Sequence, residues 1–280
     1  MTNAPPINLP GSVLPSIFVA HGAPDLPLGN HPARKFLSTL ASRIKRPRAI
    51  IVISAHWQER ITTISRAPAP RTIHDFAGWP GPLYDMTYPA RTDPDLVEEI
   101  LDLLKRAGIR HSTDDRRGYD HGVWVPLSLI YPEADIPVVQ ISLSLNGSPA
   151  FHLDLGRALA PLRLREILII GSGASVHNLG ALAPEGSAPP DWAIAFEDWL
   201  HGAISTGDLE ELLKFPRRPS EAGLAHPTPE HLMPLFVNIG AGLDTSTGKA
   251  GYGFERLYHG FSYGSIGMTS YAFGSRAWPD

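Results

Sequence analysis

The chain contains no cysteine, and it has neither an excess of basic residues nor a long apolar run. Without Cys there are no disulfides, no thiolate metal sites and no cysteine nucleophiles. With 24 Lys and Arg against 28 Asp and Glu, the formal net charge of -4 argues against nucleic acid as the main partner. No apolar stretch reaches the roughly 18 residues of a membrane helix. We therefore expect a protein that works away from nucleic acid and from membranes.

The first ten residues lack a basic segment followed by an apolar one, so we predict no signal peptide and expect a cytoplasmic protein. Residues 1–13 are Pro-rich and are expected to form a loose N-terminal arm. Residues 14–280 are predicted to form a single domain. The composition supports this, because 43% hydrophobic and 19% charged residues in 280 suit one large core. The oligomeric state is left open, with a homo-oligomer as one outcome.

Apolar, strand-like segments alternate with segments of helical periodicity along the chain. The run Ala49–Ser54 is continuously apolar, which is typical of a strand that is buried on both faces. This alternation predicts an α/β fold, with a central, mainly parallel or mixed sheet and helices on both of its faces. The other predicted strands are 16–20, 61–65, 136–143, 166–170 and one or two within 251–273; the predicted helices are 32–44, 94–107, one through Trp124, 150–162, 191–214 and one opening at 227–231.

The most unusual count is that of histidine, which occurs 12 times. His21, His56 and His177 each come at or just after the end of an apolar strand, and His177 follows a Gly171-Ser-Gly173 segment that is expected to form a flexible turn. Since ligands bind at the carboxyl ends of the strands in an open α/β sheet, we expect these three imidazoles to converge. Taken alone, each histidine has an ordinary loop or core role as its first interpretation. Together they favour a metal site built from His and carboxylates.

Residues 67–92 form a long segment without clear periodicity that is rich in Pro, Gly, His and aromatic residues. Such long loops are often functional. Trp79, Tyr84 and Tyr88 are candidates for the wall of an aromatic substrate site, and His74 or Asp75 for contacts with its polar groups. The alternative is that the aromatic side chains simply pack the core under the loop.

Several short motifs occur in one order along most of the chain, from about residue 13 to the C-terminus. In this combination they resemble the class III extradiol ring-cleavage dioxygenases, and within these the DOPA extradiol dioxygenase type. The motifs are His21-Gly-Ala-Pro24, Ser54-Ala-His56-Trp57, Thr72-Ile-His-Asp-Phe76, Leu83-Tyr-Asp85, Tyr88-Pro-Ala90, Tyr119-Asp-His121-Gly122, Tyr131 to Pro137, Gly171-Ser-Gly173, His177-Asn-Leu179, and Pro227-Thr-Pro-Glu-His231 with Pro234-Leu235.

The resemblance implies a non-haem Fe(II) site that opens the aromatic ring of a catechol, such as DOPA, with O2. It also implies that Zn(II) is found bound in relatives of this type. By matching motifs, His21 and His56 are metal ligands, and the third ligand lies in the Pro-Thr-Pro-Glu-His segment. We expect this ligand to be His231, with the adjacent Glu230 as the alternative.

The same resemblance implies that His177 is the catalytic base and approaches the metal when substrate is absent. His121 corresponds to a second active-site histidine. These roles suit the chemistry. Catechol needs open metal positions, its second hydroxyl needs a base with a pKa near neutrality, and the oxygen step needs a proton donor. Zinc has no redox chemistry, so a zinc-bound form is expected to be inactive in this reaction. The predicted substrate contacts are His74, Asp75 and Tyr84.

One departure from the pattern is His226, which stands where this type often has Asn. It is expected to be a tolerated loop residue, and the alternative is an extra ligand or a substrate contact. The residues are also compatible with two other functions. A zinc-dependent hydrolase on a similar sheet would need Glu230 or Asp120 as the base beside a metal-bound water. A non-catalytic binding protein could keep the fold, although it would not need all five histidines.

Overall fold

A computed structural model of the chain describes residues 13–215, 221–243 and 253–274. The predicted alternation of strands and helices is present, but the strand His111–Asp114 was not predicted, the C-terminal region holds more strands than predicted, and the predicted helix 191–214 is divided into Asp191–Thr206 and Leu209–Leu213. The strands are β1 (Ser16–Ala20), β2 (Ala49–Glu59), β3 (Thr62–Ser65), β4 (His111–Asp114), β5 (Val138–Ser144), β6 (Ile167–Gly173), β7 (Phe254–Tyr258), β8 (Phe261–Ser262), β9 (Ile266–Gly267) and β10 (Ser270–Phe273). The helices are α1 (Pro32–Leu40), α2 (Pro94–Arg106), α3 (His121–Ile130), α4 (Pro149–Leu159), α5 (Asp191–Thr206), α6 (Leu209–Leu213), α7 (Glu221–Ala225) and α8 (Met233–Gly242).

Eight of these strands form one mixed sheet in the order β4-β3-β5-β2-β6-β1-β10-β7. The three central strands β2, β6 and β1 are parallel neighbours. The antiparallel pairs β3–β5, β1–β10 and β10–β7 make the sheet mixed. The α/β class is thus confirmed. Most of the predicted N-terminal arm lies outside the described residues.

Apolar side chains on successive residues of the central strands point to opposite faces of the sheet. Ile50 and Val52 pack on the face that α1 and α3 cover, whereas Ile51 and Ile53 pack on the face that α2, α4, α5 and α8 cover. The continuous apolar run of β2 is therefore explained by burial on both sides. Within the described part of the chain, no helix is long and apolar enough to cross a bilayer.

Helix starts follow local capping rules. The Asp93 side chain accepts hydrogen bonds from the backbone N–H groups of Asp95 and Leu96, and Pro94 occupies the first helical position of α2. The helix ends before Gly108, whose φ of 69° places it in the left-handed region. The predicted loop 67–92 is confirmed as irregular, apart from one short 3-10 turn over Gly81–Asp85.

Three local predictions were wrong. His56 lies inside β2, because the strand continues to Glu59 across a shift in its pairing with β5 between Ile53 and Gln58. The segment Gly171-Ser-Gly173 is the buried end of β6 and does not form a flexible turn. His231 lies in the turn before α8, and the helix begins only at Met233.

Close packing explains the two glycines at the end of β6. A Cβ atom on Gly171 would lie 1.9 Å from Oδ1 of Asn238 in α8, and one on Gly173 would lie 2.0 Å from the carbonyl oxygen of His231. The backbone N–H of Ala174 donates to that same carbonyl at 3.0 Å. The glycines therefore allow the segment before α8 to dock directly on the sheet.

Candidate metal centre

Five histidines converge beyond the carboxyl ends of the three central strands; we call them the histidine cluster. His21 directly follows β1, His56 lies near the end of β2, and His177 follows β6. His121 opens α3, and His231 precedes α8. The convergence that the sequence predicted for the three strand-end histidines is confirmed by ring contacts among all five members.

The shortest contacts within the cluster join nitrogen to nitrogen. Nε2 of His56 lies 3.0 Å from Nε2 of His21 and 3.3 Å from Nε2 of His231. Two nitrogens that each lie about 2.0–2.1 Å from one ion, at angles of about 90–109°, are about 2.8–3.4 Å apart. Both distances from Nε2 of His56 therefore match the spacing of ligands around a shared ion.

The opposite ring nitrogens of these three histidines each face an oxygen atom. Nδ1 of His21 lies 2.9 Å from Oγ of Ser172, which itself donates to the carbonyl of Gly122, so the imidazole N–H must be the donor. Nδ1 of His231 donates to the Glu230 carboxylate at 2.9 Å. Nδ1 of His56 lies 3.6 Å from Oδ2 of Asp75.

The hydrogen bonds of His21 and His231 assign the proton to Nδ1 and leave a lone pair on Nε2, and the nearby Asp75 carboxylate favours the same arrangement in His56. Three lone pairs that point at each other repel, and a cation between them removes that repulsion. Carboxylates and hydroxyls at the far nitrogen are also the usual supports of metal-binding imidazoles. The donor set therefore fits a transition-metal ion, and neutral imidazole suits zinc, iron and copper alike.

Burial favours the neutral form of His21, His56 and His231. It lowers the pKa of His21 and of His231 well below the usual value, and the neighbouring histidines add to the effect. Burial, together with His121, lowers the pKa of His56 to about 4. Neutral imidazole is the form that binds a metal, so these three rings are ready to bind at neutral pH.

Two further histidines flank the three. The ring of His177 stacks on that of His231 with centroids 3.4 Å apart and planes within 9° of parallel. One ligand atom each of His177, Glu230 and His231 lies within 4.8 Å of the others, and the same holds for His21, His56 and His121. Either flanking histidine is thus near enough to approach an ion at the centre.

His121 is held by the carboxylate of Asp75. Oδ1 of Asp75 accepts hydrogen bonds from both Nδ1 and the backbone N–H of His121, each at 2.9 Å. Burial opposes ionisation of Asp75, but the hydrogen bonds and charge of His121 outweigh it and lower the pKa of Asp75 to about 2. Asp75 is therefore ionised at neutral pH and fixes the orientation of His121, so that Nε2 is the free ring nitrogen.

The cluster lies in a cavity of ≈ 750 Å³. The buried histidines form its inner part. Its outer part is mostly apolar and includes Phe76 and Trp79 from the long loop. The other lining residues are Gly22, Ala23, Pro24, Asp75, Asn178, Leu179, Gly180, Leu182, Pro227, Thr228, Glu230, Tyr263 and Ile266.

The structure brings only some of the predicted substrate-contact residues to this cavity. Asp75 and Trp79 line it, but His74, Tyr84 and Tyr88 do not. Nε2 of His74 lies 3.0 Å from the carbonyl of Met86, and Tyr84 packs on His74 and Phe76. The prediction that His74 and Tyr84 touch the substrate therefore finds no support in this geometry, because Phe76 takes that place.

His226 does not join the cluster, nor does it line the cavity. Its Nε2 donates to the carbonyl of Ser175 at 2.9 Å, and its ring packs against Phe196 and Phe215. Burial lowers the pKa of His226 to about 4. This placement agrees with the interpretation of His226 as a structural residue.

Sequence reasoning missed the partners of the histidines and part of the cavity wall. Ser172 was seen only within a glycine-rich turn, and Asp75 was assigned to the substrate. Tyr263 lines the cavity from the C-terminal region, with its hydroxyl donating to Asp25 at 2.9 Å. Ser172 could have been found because it lies two residues beyond a predicted apolar strand, and Asp75 because it lies beside His74, a predicted site histidine. No sequence pattern indicated that Tyr263 would line the cavity.

Known proteins resemble this chain over most of its length. Residues 14–274 match the family described as the catalytic LigB subunit of aromatic ring-opening dioxygenase. A 4,5-DOPA dioxygenase extradiol of Beta vulgaris is 40% identical over 264 residues, 93% of this chain and 96% of the relative. One of Escherichia coli K12 is 38% identical over 232 residues, 81% and 85% of the two chains.

A solved structure extends the likeness to three dimensions. The crystal structure of an uncharacterized protein from Escherichia coli K12 superposes with a TM-score of 0.76 at 30% identity, covering 92% of this chain and 99% of the other. The superposed part thus spans nearly the whole of both chains. The resemblance stated from the motifs is therefore confirmed, and the chain belongs to the family of the catalytic LigB subunit of aromatic ring-opening dioxygenases.

Proposed function

We propose that this protein is an extradiol ring-cleavage dioxygenase, which opens the aromatic ring of a DOPA-like catechol with O2 and places both oxygen atoms in the product. Its partners are thus a small-molecule catechol and O2. The observation that carries the proposal is the convergence of three Nε2 lone pairs at 3.0 and 3.3 Å at the inner end of a cavity. Family membership and the names of the relatives support the same reaction.

His21, His56 and His231 are the proposed metal ligands. Glu230 is assigned a supporting role, because its Oε1 accepts from Nδ1 of His231 at 2.9 Å and from the Thr228 hydroxyl at 3.0 Å. Three protein ligands leave positions open for the two catechol oxygens. Iron(II) is the proposed active metal, since it supplies the redox chemistry that a reaction with O2 requires and that zinc lacks.

His177 is the proposed base, and it remains a candidate for contact with the metal in the absence of substrate. Its ring lies against His231, so a catechol oxygen near the ligands would be within its reach. Burial lowers the pKa of His177 below the usual value, which keeps the ring neutral and able to accept a proton at neutral pH. We assign to it the proton of the second catechol hydroxyl.

His121 is the proposed proton donor for the oxygen step. Its Nδ1–H is bound to Asp75, so protons are exchanged at Nε2. The Asp75 carboxylate holds the ring in this orientation through its hydrogen bonds to Nδ1 and to the backbone N–H. Asp75 is thus assigned to orienting His121, in place of the substrate contact that the sequence suggested.

The hydrolase alternative requires an open carboxylate beside the metal, and neither candidate offers one. Asp120 is buried, with Oδ1 bound to Ser54 and Oδ2 bound to Arg117 and Gln140, each at 2.6 Å. Glu230 is held by His231 and Thr228 as described above.

The test is an oxygen-uptake assay on protein purified and loaded with Fe(II) without air. With L-DOPA and simple catechols we expect one O2 consumed per catechol and a product heavier by two oxygen atoms. The same protein loaded with Zn(II) is the control and should consume no O2. Turnover of an ester or amide by the zinc form, without O2 uptake, would instead establish the hydrolase.

A further inference from the structure

The outer part of the cavity is built differently from the inner part. Two of the large apolar side chains that the protein exposes, Leu179 at 65% and Leu182 at 49%, line this cavity. Trp79 and Phe76 line it too, from the long loop. We call Leu179, Leu182, Phe76 and Trp79 the apolar mouth. Exposed leucines gain free energy when a ligand covers them, at about 25 cal/mol per Å² of apolar surface.

The two leucines are fixed in position. Leu179 is the first residue of a 3-10 turn over Leu179–Ala181, and Leu182 directly follows it. The Asn178 side chain caps this turn by accepting from the backbone N–H of Gly180 at 2.9 Å. The Asn178 amide also donates to the carbonyl of Leu224 at 2.8 Å. On the far side, the N–H of Ala183 donates to the carbonyl of Tyr263 at 2.9 Å. The leucine surface is therefore preformed and costs little ordering on binding.

The aromatic residues of the mouth are also supported. The Phe76 ring packs edge-on against His121, with centroids 5.9 Å apart, and against Tyr84 at 5.3 Å. Phe76 thus joins the mouth to the histidine cluster, and a ligand bound at the histidines extends directly between the two sets of apolar side chains.

The cavity is larger than a catechol needs. Its ≈ 750 Å³ lies in the upper part of the range of about 300–1,000 Å³ for pockets that hold drug-sized ligands. A catechol has only eight non-hydrogen atoms, and its hydroxyls must lie at the histidines. The charged side chains of the described lining, Asp75 and Glu230, are already bound to His121 and His231. The polar side chains of Asn178, Thr228 and Tyr263 in the lining donate to other protein groups. Most of the surface that remains for a ring substituent is therefore apolar.

We propose that the apolar mouth is a subsite for a hydrophobic alkyl or aryl substituent on the catechol ring, so that catechols with such a substituent are cleaved with a higher kcat/KM than DOPA, which is cleaved as well. This inference rests on the proposed function, because it assumes that a catechol binds at the histidines. It adds the substrate class, and with it the residues that select the substituent.

The test compares kcat/KM of the Fe(II)-loaded enzyme for catechol, 4-methylcatechol, 4-butylcatechol and L-DOPA. Each fully buried methylene is worth about 4-fold, so we expect 4-butylcatechol to exceed 4-methylcatechol by more than about 10-fold, and to exceed L-DOPA as well. The double variant Leu179→Ser/Leu182→Ser should bring the butyl-to-methyl ratio close to one. Leu164→Ser is the matched control, since Leu164 is a leucine of similar exposure, 63%, outside the cavity lining.

A second readout does not depend on turnover. The Zn(II)-loaded protein is titrated calorimetrically with the same alkylcatechols, and burial of the substituent should make the heat-capacity change more negative as the alkyl chain lengthens. If length-dependent binding occurs while no catechol is ever cleaved, the subsite stands and the proposed dioxygenase function is overturned.

Two results would overturn the subsite. The first is cleavage of all catechols with no effect of chain length, or with a preference for L-DOPA. The second is a change of oligomeric state in the double leucine variant, measured by light scattering, with the butyl-to-methyl ratio intact. In that case the leucines form a contact between copies of the chain.

Discussion

The central sheet holds buried polar groups in opposite ways at two edges, the one where its parallel strands end and the one where they begin. At the carboxyl edge of β1, β2 and β6, three imidazoles aim Nε2 lone pairs at one another. At the opposite edge, the guanidinium of Arg163 is buried and donates to the carbonyl oxygens of Leu14, Ala241 and Gly274 at 2.7, 2.6 and 3.0 Å. One site lacks a positive charge, and the other holds one that is fully bonded.

This difference indicates that the histidine cluster serves metal binding, whereas Arg163 serves the stability of the fold. Arg163 joins the segment before β1, the end of α8 and the residue after β10, so it connects parts of the chain that are distant in sequence. Burial lowers the pKa of Arg163 to about 10, which still leaves it charged at neutral pH. We therefore expect changes at the histidine cluster to remove function and changes at Arg163 to remove stability.

The largest effect is expected at the ligands. His56→Ala or His231→Ala should abolish stoichiometric metal binding and with it turnover, because only two of three ligands remain. The stability of metal-free His56→Ala should change by only about 1 kcal/mol, since among the described residues the His56 ring makes contacts of hydrogen-bond length only with other histidines. Metal analysis and thermal unfolding measure the two quantities.

The control for this experiment is Glu230→Gln. It keeps a carbonyl oxygen that can accept from Nδ1 of His231, so most of the metal should remain. If Glu230→Gln loses the metal and His231→Ala keeps it, the third ligand is the carboxylate.

The next effect concerns His177. His177→Ala should still bind metal and catechol, while kcat falls by the roughly 10²–10⁴-fold that a positioned base contributes. His111→Ala is the control, because His111 lies on the edge strand β4 outside the cavity lining. The measurement is an anaerobic catechol titration followed by stopped-flow mixing with O2. Loss of the metal in His177→Ala would make His177 a ligand.

Arg163→Met tests the other edge of the sheet. The change leaves three buried carbonyl groups without their donor, at about 1–3 kcal/mol each, so the free energy of unfolding should fall by at least about 3 kcal/mol. The fraction that stays folded should keep its metal content. Arg157→Met is the control, since Arg157 pairs with Asp154 on the surface of α4, where such a pair is worth only about 0–1 kcal/mol. Equal losses in both variants would remove the distinction between the edges.

The smallest expected effect is on the pH dependence of stability, and it comes from a buried carboxyl group, Glu197. Burial raises the pKa of Glu197 to about 7, although the hydroxyls of Ser175 and Thr269 bind its carboxyl group. The folded state therefore keeps a proton that the unfolded state loses above about pH 4.5. Stability should fall as the pH rises from about 4.5 to 7, and then remain constant.

Glu197→Gln removes this dependence. At pH 8 it should stabilise the protein by up to roughly 3 kcal/mol, at 1.36 kcal/mol per pKa unit, with little effect at pH 4.5. Urea unfolding at both pH values measures the difference. Glu210→Gln, at a carboxyl whose side chain is 83% exposed, should show none. A Glu197→Gln variant that is destabilised at pH 8 would contradict the assignment.

The sequence predicted those parts of the fold that follow from local patterns. The apolar run of β2 and the Asp93-Pro94 start of α2 each depend on a few neighbouring residues, and both were confirmed. The extension of β2 past His56 could not be predicted, because it depends on pairing with β5 after a register shift. The rigid end of β6 also escaped, since Gly171 and Gly173 are required by α8 and the turn before it, far along the chain.

In the candidate site, too, only some features could be predicted from the sequence. The histidines could be found from strand-end positions and motifs, although their individual roles stay predictions. Which partner holds each ring could not be found, since Ser172 reaches His21 only after β1 and β6 have paired. Phe76 lines the cavity and Tyr84 does not, because the path of the long loop decides which aromatic ring faces inward.

The docking of the His231 carbonyl on Ala174 has a consequence for how the protein is made. His21 and His56 emerge early from the ribosome, but the segment with His231 follows only after β6 and most of the chain. A nascent chain that stops short of it offers two of the three proposed ligands, and two imidazoles alone hold an ion weakly. Stable metal uptake must then await the closing of the last third of the protein onto the sheet, so metal content reports whether a molecule has completed its fold.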